Sequence, residues 1–127
     1  MNKIYNELSV TEAELENPED EWQPIPLEPS DPNVKKAIDA VEETVKQVEQ
    51  SNGYNAQYPE ERKYVLDSLR MVSTTLKTAK STSIAYLKSY ALAPIAKLRS
   101  RFIEALIGET AKEAAKWIWN IIKEGIK

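Results

Sequence analysis

Chemistry at neutral pH starts from groups that move protons or hold metals, and this chain has neither histidine nor cysteine. The commonest neutral-pH acid–base group and metal ligand is therefore missing, as are thiolate nucleophiles, thiolate metal sites and disulfides. Carboxylates remain. Two of them can act as acid and base without histidine, and the adjacent pairs Glu42/Glu43 and Glu60/Glu61 are the candidates. Neighbours on a helix point ~100° apart, so neither pair converges on one substrate atom. No phosphate-cradling glycine loop and no G-x-S-x-G elbow accompany them, and no spacing joins a serine, lysine or tyrosine to a base. The expectation is a non-enzymatic chain with no catalytic residue, cofactor or metal, and no evident small-molecule substrate.

What the residue types do offer is contact. Trp22, Ile25 and Leu27 lie in EWQPIPLEP, whose prolines favour an extended path. They are too apolar for a pure linker: either they pack back onto the body or they form a short linear motif for a protein partner. Lys63, Arg70 and Lys77 are seven apart and share one helix flank. Such a row is a solvated face, a set of pairs with acids of the preceding helix, or a partner contact. In the last helix, Trp117 and Trp119 fall ~100° to either side of Ile118. Lysines opposite an apolar face with tryptophan shoulders fit an interfacial helix, so Trp117, Ile118, Trp119 and Ile122 are candidates to face a membrane. The same rings also suit the border between a bundle core and solvent.

Charge separates the chain into an arm and a body. Residues 1–30 carry eight acids against Lys3, a balance of −7, which leaves +4 on residues 31–127 of the total −3. Residues 57–127 hold thirteen Lys/Arg against seven Asp/Glu, a weak nucleic-acid footprint that the acidic arm would compete for. A nucleic-acid accessory role therefore ranks third among the readings. The longest uncharged run, 50–59, is largely polar, and the apolar run 89–96 falls far short of the ~20 apolar residues of a spanning helix. MNKIYNELSV has no apolar core of secretory length. With no cysteine, the expected compartment is the cytoplasm, with the inner membrane face as the alternative.

Few glycines, one phenylalanine and many Ala, Glu, Lys, Ile and Leu residues favour helix. The 127 residues suit one domain. In the arm, Ser9 and Glu12 have capping-box spacing for a short helix over Val10 to Glu16. Asp31 and Pro32 signal the start of a first long helix, with Val34, Ile38, Val41, Val45 and Val48 as a narrow seam and Asn52-Gly53 as its stop. Pro59-Glu60-Glu61 opens a second, running to about Lys80, with Val65, Leu66, Leu69, Val72 and Leu76 buried. The third, Ser83 to Ile107, has an apolar arc wide enough to touch two neighbours: Ile84, Leu87, Ala91, Ile95, Leu98, Phe102 and Leu106, with Ala85, Leu92, Ala96 and Ile103 beside them. Pro94 either kinks it or divides it, and Gly108 ends it. Thr110 and Glu113 cap a fourth helix from Ala111 to about Glu124, with Ala111, Ala114, Ala115, Ile118, Ile121 and Ile122 as its apolar face.

NGYNAQYPEER at 52–62 and PIAKLRSRFIEALIG at 94–108 resemble segments of a group of small bacterial helical proteins. These carry an NGY…PEER segment, a proline-interrupted helix with an RF or KF pair, and a small-residue C-terminal helix. The resemblance spans about residues 21–127, including EWQPIP, and leaves the first 20 residues outside. It implies a bacterial, all-helical unit and transfers no catalytic or binding residue.

The expectation is thus an all-α chain: a four-helix bundle over 31–127 with a kinked central helix, and an extended acidic arm over 1–30. Its expected role is a protein-interaction or assembly module that binds a protein partner or itself through helix faces or the arm. The alternative is a peripheral membrane binder through the amphipathic helix 110–127.

Overall fold

The computed structural model describes residues 18–102 and 105–125. The short helix expected over Val10 to Glu16, and the positions of Ile103 and Lys127, lie outside them. The described chain is all-α apart from a pair of two-residue strands.

Before the first long helix, a 3-10 turn (Pro18–Trp22) leads to β1 (Ile25–Pro26). Helix α1 (Pro32–Glu49) starts at the expected cap, where Asp31 accepts the Asn33 N–H at 2.8 Å. Val34, Val41 and Val48 of its seam are buried, and Ile38 and Val45 flank them half-buried. Thr44, buried among them, satisfies its hydroxyl by donating to Ala40 O at 2.7 Å.

Asn52-Gly53 does not stop the helix in a left-handed turn, and no described residue has a positive φ. Both residues instead lie inside a short helix, α2 (Asn52–Gln57). Ser51 caps it by accepting the Tyr54 N–H at 3.3 Å, and the helical turn delivers the Tyr54 ring into the core. Helix α3 (Pro59–Thr78) follows with Pro59 in its first turn, Glu60 and Glu61 at its positive end, and the whole expected stripe buried.

After α3, β2 (Ser81–Thr82) pairs antiparallel with β1, Ile25 opposite Thr82 and Pro26 opposite Ser81. The third helical segment begins at the Ser83 cap with α4 (Ile84–Leu87), passes through a π-helical turn (Lys88–Leu92) and continues as α5 (Ala93–Arg101). Pro94 explains the π turn. It has no N–H to offer the carbonyl one turn back, and its ring crowds that carbonyl. The chain widens there, and the Ala93 N–H reaches five residues back to Lys88 O. Ile84, Ala85, Leu87, Ala91, Leu92, Ile95 and Leu98 are buried as expected, whereas Ala96 is exposed.

The segment ends at Arg101, earlier than the sequence suggests. Leu106, placed by periodicity in its apolar arc, instead opens α6 (Leu106–Gly125) and is 70% exposed. The cap expected at Thr110 is likewise displaced, because α6 begins a turn sooner and Thr110 lies inside it. Gly108 makes this early start feasible. A Cβ at Gly108 would sit 1.9 Å from the Phe102 carbonyl oxygen, so only glycine fits beneath the turn.

The expected apolar face of α6 is buried in full, together with Trp119. It packs against α1 and α5, α1 also packs against α3, and the π turn touches both α3 and α6. One continuous apolar cluster joins all of them and includes Ile25 and Leu27 from the N-terminal segment.

Candidate interaction surface

At one end of the helices, α2, α3 and α5 are tied by a polar clamp. Tyr54 donates its hydroxyl to Glu61 Oε2 at 2.7 Å. Arg101 grips the same carboxylate, Nε to Oε2 at 2.9 Å and Nη2 to Oε1 at 2.9 Å. The guanidinium carbon also lies 3.8 Å from the centroid of the Tyr58 ring. The Tyr54 ring stands edge-on to Phe102, 5.1 Å between centroids. The Arg101 guanidinium, helped by the Tyr54 hydroxyl, holds the Glu61 carboxyl below its ordinary range against the opposing effect of burial. Burial, with the nearby Glu61 charge, pushes the Tyr54 hydroxyl up. At neutral pH the three groups therefore keep fixed protonation states, which suits a tie rather than proton transfer. The clamp is built from the NGY…PEER and RF segments, and its convergence is not visible in their spacing.

The flank of α3 facing α1 is satisfied by ion pairs. Lys77 pairs with Glu42, which also accepts from Ser73 Oγ at 3.0 Å, and Arg70 pairs with Glu49. Of the three basic residues singled out on this flank, Arg70 and Lys77 thus meet α1's acids, and Lys63 is exposed. Lys77 and Ser73 lower the Glu42 carboxyl below its ordinary value, Lys77 having the larger effect.

The N-terminal candidates divide as well. Ile25 and Leu27 are buried in the core cluster, as the packed-back reading expects, whereas Trp22 is 69% exposed. On α6, Ile118 and Ile122 are fully buried and Trp119 nearly so. None of those three is exposed, and Trp117 is the half-buried member of that set. Its ring lies under the Lys36 ammonium at 4.6 Å and its Nε1 donates to Glu113 Oε2 at 3.0 Å. It lines a shallow groove of about 520 Å³ between α1 and α6, with Asp39, Glu43, Glu109 and Glu113 along the rims. Among the described residues no cluster of acidic side chains could hold a metal ion, and no helix is long and apolar enough to cross a membrane.

A different face carries several of the large apolar side chains that the core leaves out. Thr75 and Tyr86 hydroxyls meet at 2.8 Å, and Glu61 meets Arg101, so α3 and the 84–101 segment run antiparallel. One turn before Thr75 is Met71, and one turn beyond Tyr86 is Tyr90, which places the two at the same level of the pair. Tyr64 precedes Met71 by two turns on the same face of α3. Tyr64, Met71 and Tyr90 are 44%, 43% and 41% exposed. Tyr58, also exposed, continues the row towards the clamp. The row escaped the sequence reading because each residue sits one position outside a buried stripe.

Set against family models, curated proteins and solved structures, the chain matches none of them.

Proposed function

We propose that this chain is a non-enzymatic protein-interaction or assembly module, and that its contact surface is the seam between α3 and the 84–101 segment. The observation that carries the reading is the row Tyr64, Met71 and Tyr90, exposed and spaced by helical turns along α3 and the 84–101 segment. Tyrosine and methionine are enriched in protein interfaces, where they supply large contact area. The clamp at Glu61 and the Thr75–Tyr86 hydrogen bond fix the two helices that present the row, so little order is lost on binding. In this reading the long helical segments form a four-helix bundle bent at Pro94, residues 1–30 are an appended arm, and the module works in the cytoplasm.

Photo-crosslinking tests the assignment. A photoreactive residue at Met71 or Tyr90 should join the chain to a protein partner or to a second copy, and the same residue at the exposed Lys112 should not. Equal yields from both faces would remove the seam from consideration.

A further inference from the structure

The N-terminal segment lies across the helical body in a way that is only partly satisfied. Ile25 and Leu27 are buried, and Ile25 sits so close to Gly125 that a Cβ there would fall 2.7 Å from Ile25 Cγ2. These two apolar anchors fix β1 and the residue after it, and the 3-10 turn packs against α4. Among the described polar contacts, Leu27 N–H donates to Lys80 O at 2.9 Å, Glu21 pairs with Lys88 at 3.4 Å, and β1 pairs with β2 over two residues. Pro24, Pro26 and Pro29 have no N–H, so they cannot add donors to that ladder. Beneath the segment, Thr82 is buried opposite Ile25, and its hydroxyl oxygen meets no hydrogen-bond partner among the described residues. A buried hydroxyl without a partner favours the state in which water can reach it.

We propose that residues 18–30 form a releasable latch: they leave the helical body as a unit, without global unfolding. Release bares the apolar stretch Trp22 to Leu27 and the notch filled by Ile25, and it hydrates Thr82. None of Tyr64, Met71 and Tyr90 belongs to the latch, which touches the 84–101 segment through α4 and Lys88. Docked, it buries Ile25 and Leu27 and leaves Trp22 exposed. Released, it turns EWQPIPL into a continuous extended motif of the kind that partners read.

Native-state hydrogen exchange on the full chain decides this. The Leu27 amide reports the latch, and the Leu69 amide, in the interior of α3, reports global unfolding. After correction for intrinsic rates, Leu27 should exchange ~100-fold or more faster than Leu69, with a much shallower denaturant dependence. In a Leu98→Ala variant, Leu69 exchange should accelerate about tenfold or more while Leu27 exchange stays unchanged, because Leu98 is not part of the opening. Ile95→Val, a milder core change, serves the same purpose if Leu98→Ala does not fold. Exchange of Leu27 and Leu69 at one common rate, or joint acceleration in the core variant, would overturn the latch.

Discussion

The hydroxyl of Tyr54 and the guanidinium of Arg101 meet on the same carboxylate, that of Glu61, where both donate to Oε2. Forty residues separate Glu61 from Arg101 in sequence, and their pairing locks the start of α3 to the end of α5. Together with the Thr75–Tyr86 hydrogen bond it ties α3 to the 84–101 segment, the two elements that carry the exposed Tyr64, Met71 and Tyr90.

The clamp makes stability pH-dependent in a definite direction. The folded Glu61 carboxyl titrates below its ordinary value of about 4.5, so its contribution is complete above that value and disappears as pH falls through the lowered one. Glu42 behaves in the same sense. A Glu61→Gln variant should therefore be less stable than the parent at neutral pH, and the two should converge in acid. Urea unfolding across that range measures the difference, and a constant gap at every pH would contradict the assignment.

Two glycines should respond with opposite signs. Gly108→Ala forces a methyl into the Phe102 carbonyl and should destabilise by about 1–3 kcal/mol or more. Gly53 lies in a helix with nothing near the position of a Cβ, so Gly53→Ala should stabilise by about 0.4–1 kcal/mol. Paired denaturant titrations read both.

Leu98 and Leu106 carry the same apolar pattern in sequence but differ in the fold. Leu98 is fully buried, and Leu98→Ala should cost about 2–5 kcal/mol. Leu106→Ala should stay within about 0.5 kcal/mol, the usual range for surface changes. Similar losses for both would mean that 102–106 continues the helix after all.

These contrasts show which features the sequence makes legible. The Asp31-Pro32 and Pro59-Glu60-Glu61 starts, the buried stripe of α3 and the apolar face of α6 are local patterns that appear where periodicity and capping chemistry place them. In α1, by contrast, Ala37 and Thr44 are fully buried beside Val34, Val41 and Val48, and Ile38 and Val45 are only half-buried. The failures arise where a distant contact decides. Asn52-Gly53 becomes helical because Tyr54 is drawn towards Phe102, and the break after Arg101 depends on the Phe102 carbonyl lying over Gly108. The fit of Ile25 against Gly125 brings together opposite ends of the chain, which no spacing could announce. For the same reason the Tyr54–Glu61–Arg101 clamp and the Tyr64–Met71–Tyr90 row became visible only once the helices were paired.

Burial of Ile118, Trp119 and Ile122 bears on membranes. In liposome co-sedimentation the folded chain should stay in the supernatant with anionic vesicles, and Trp117→Ala should leave that result unchanged. Binding that Trp117→Ala abolishes would instead support an interfacial role for α6.

The most direct test of the interaction surface is a quantitative comparison of the parent with Tyr64→Ser, Met71→Ser and Tyr90→Ser combined. Partner capture and sedimentation velocity would be measured on both proteins, after thermal unfolding has shown each to be folded. The surface assignment predicts that capture or self-association falls about tenfold or more, the loss of roughly 1.4 kcal/mol of contact energy. Unchanged capture and unchanged sedimentation in a folded triple variant would contradict it.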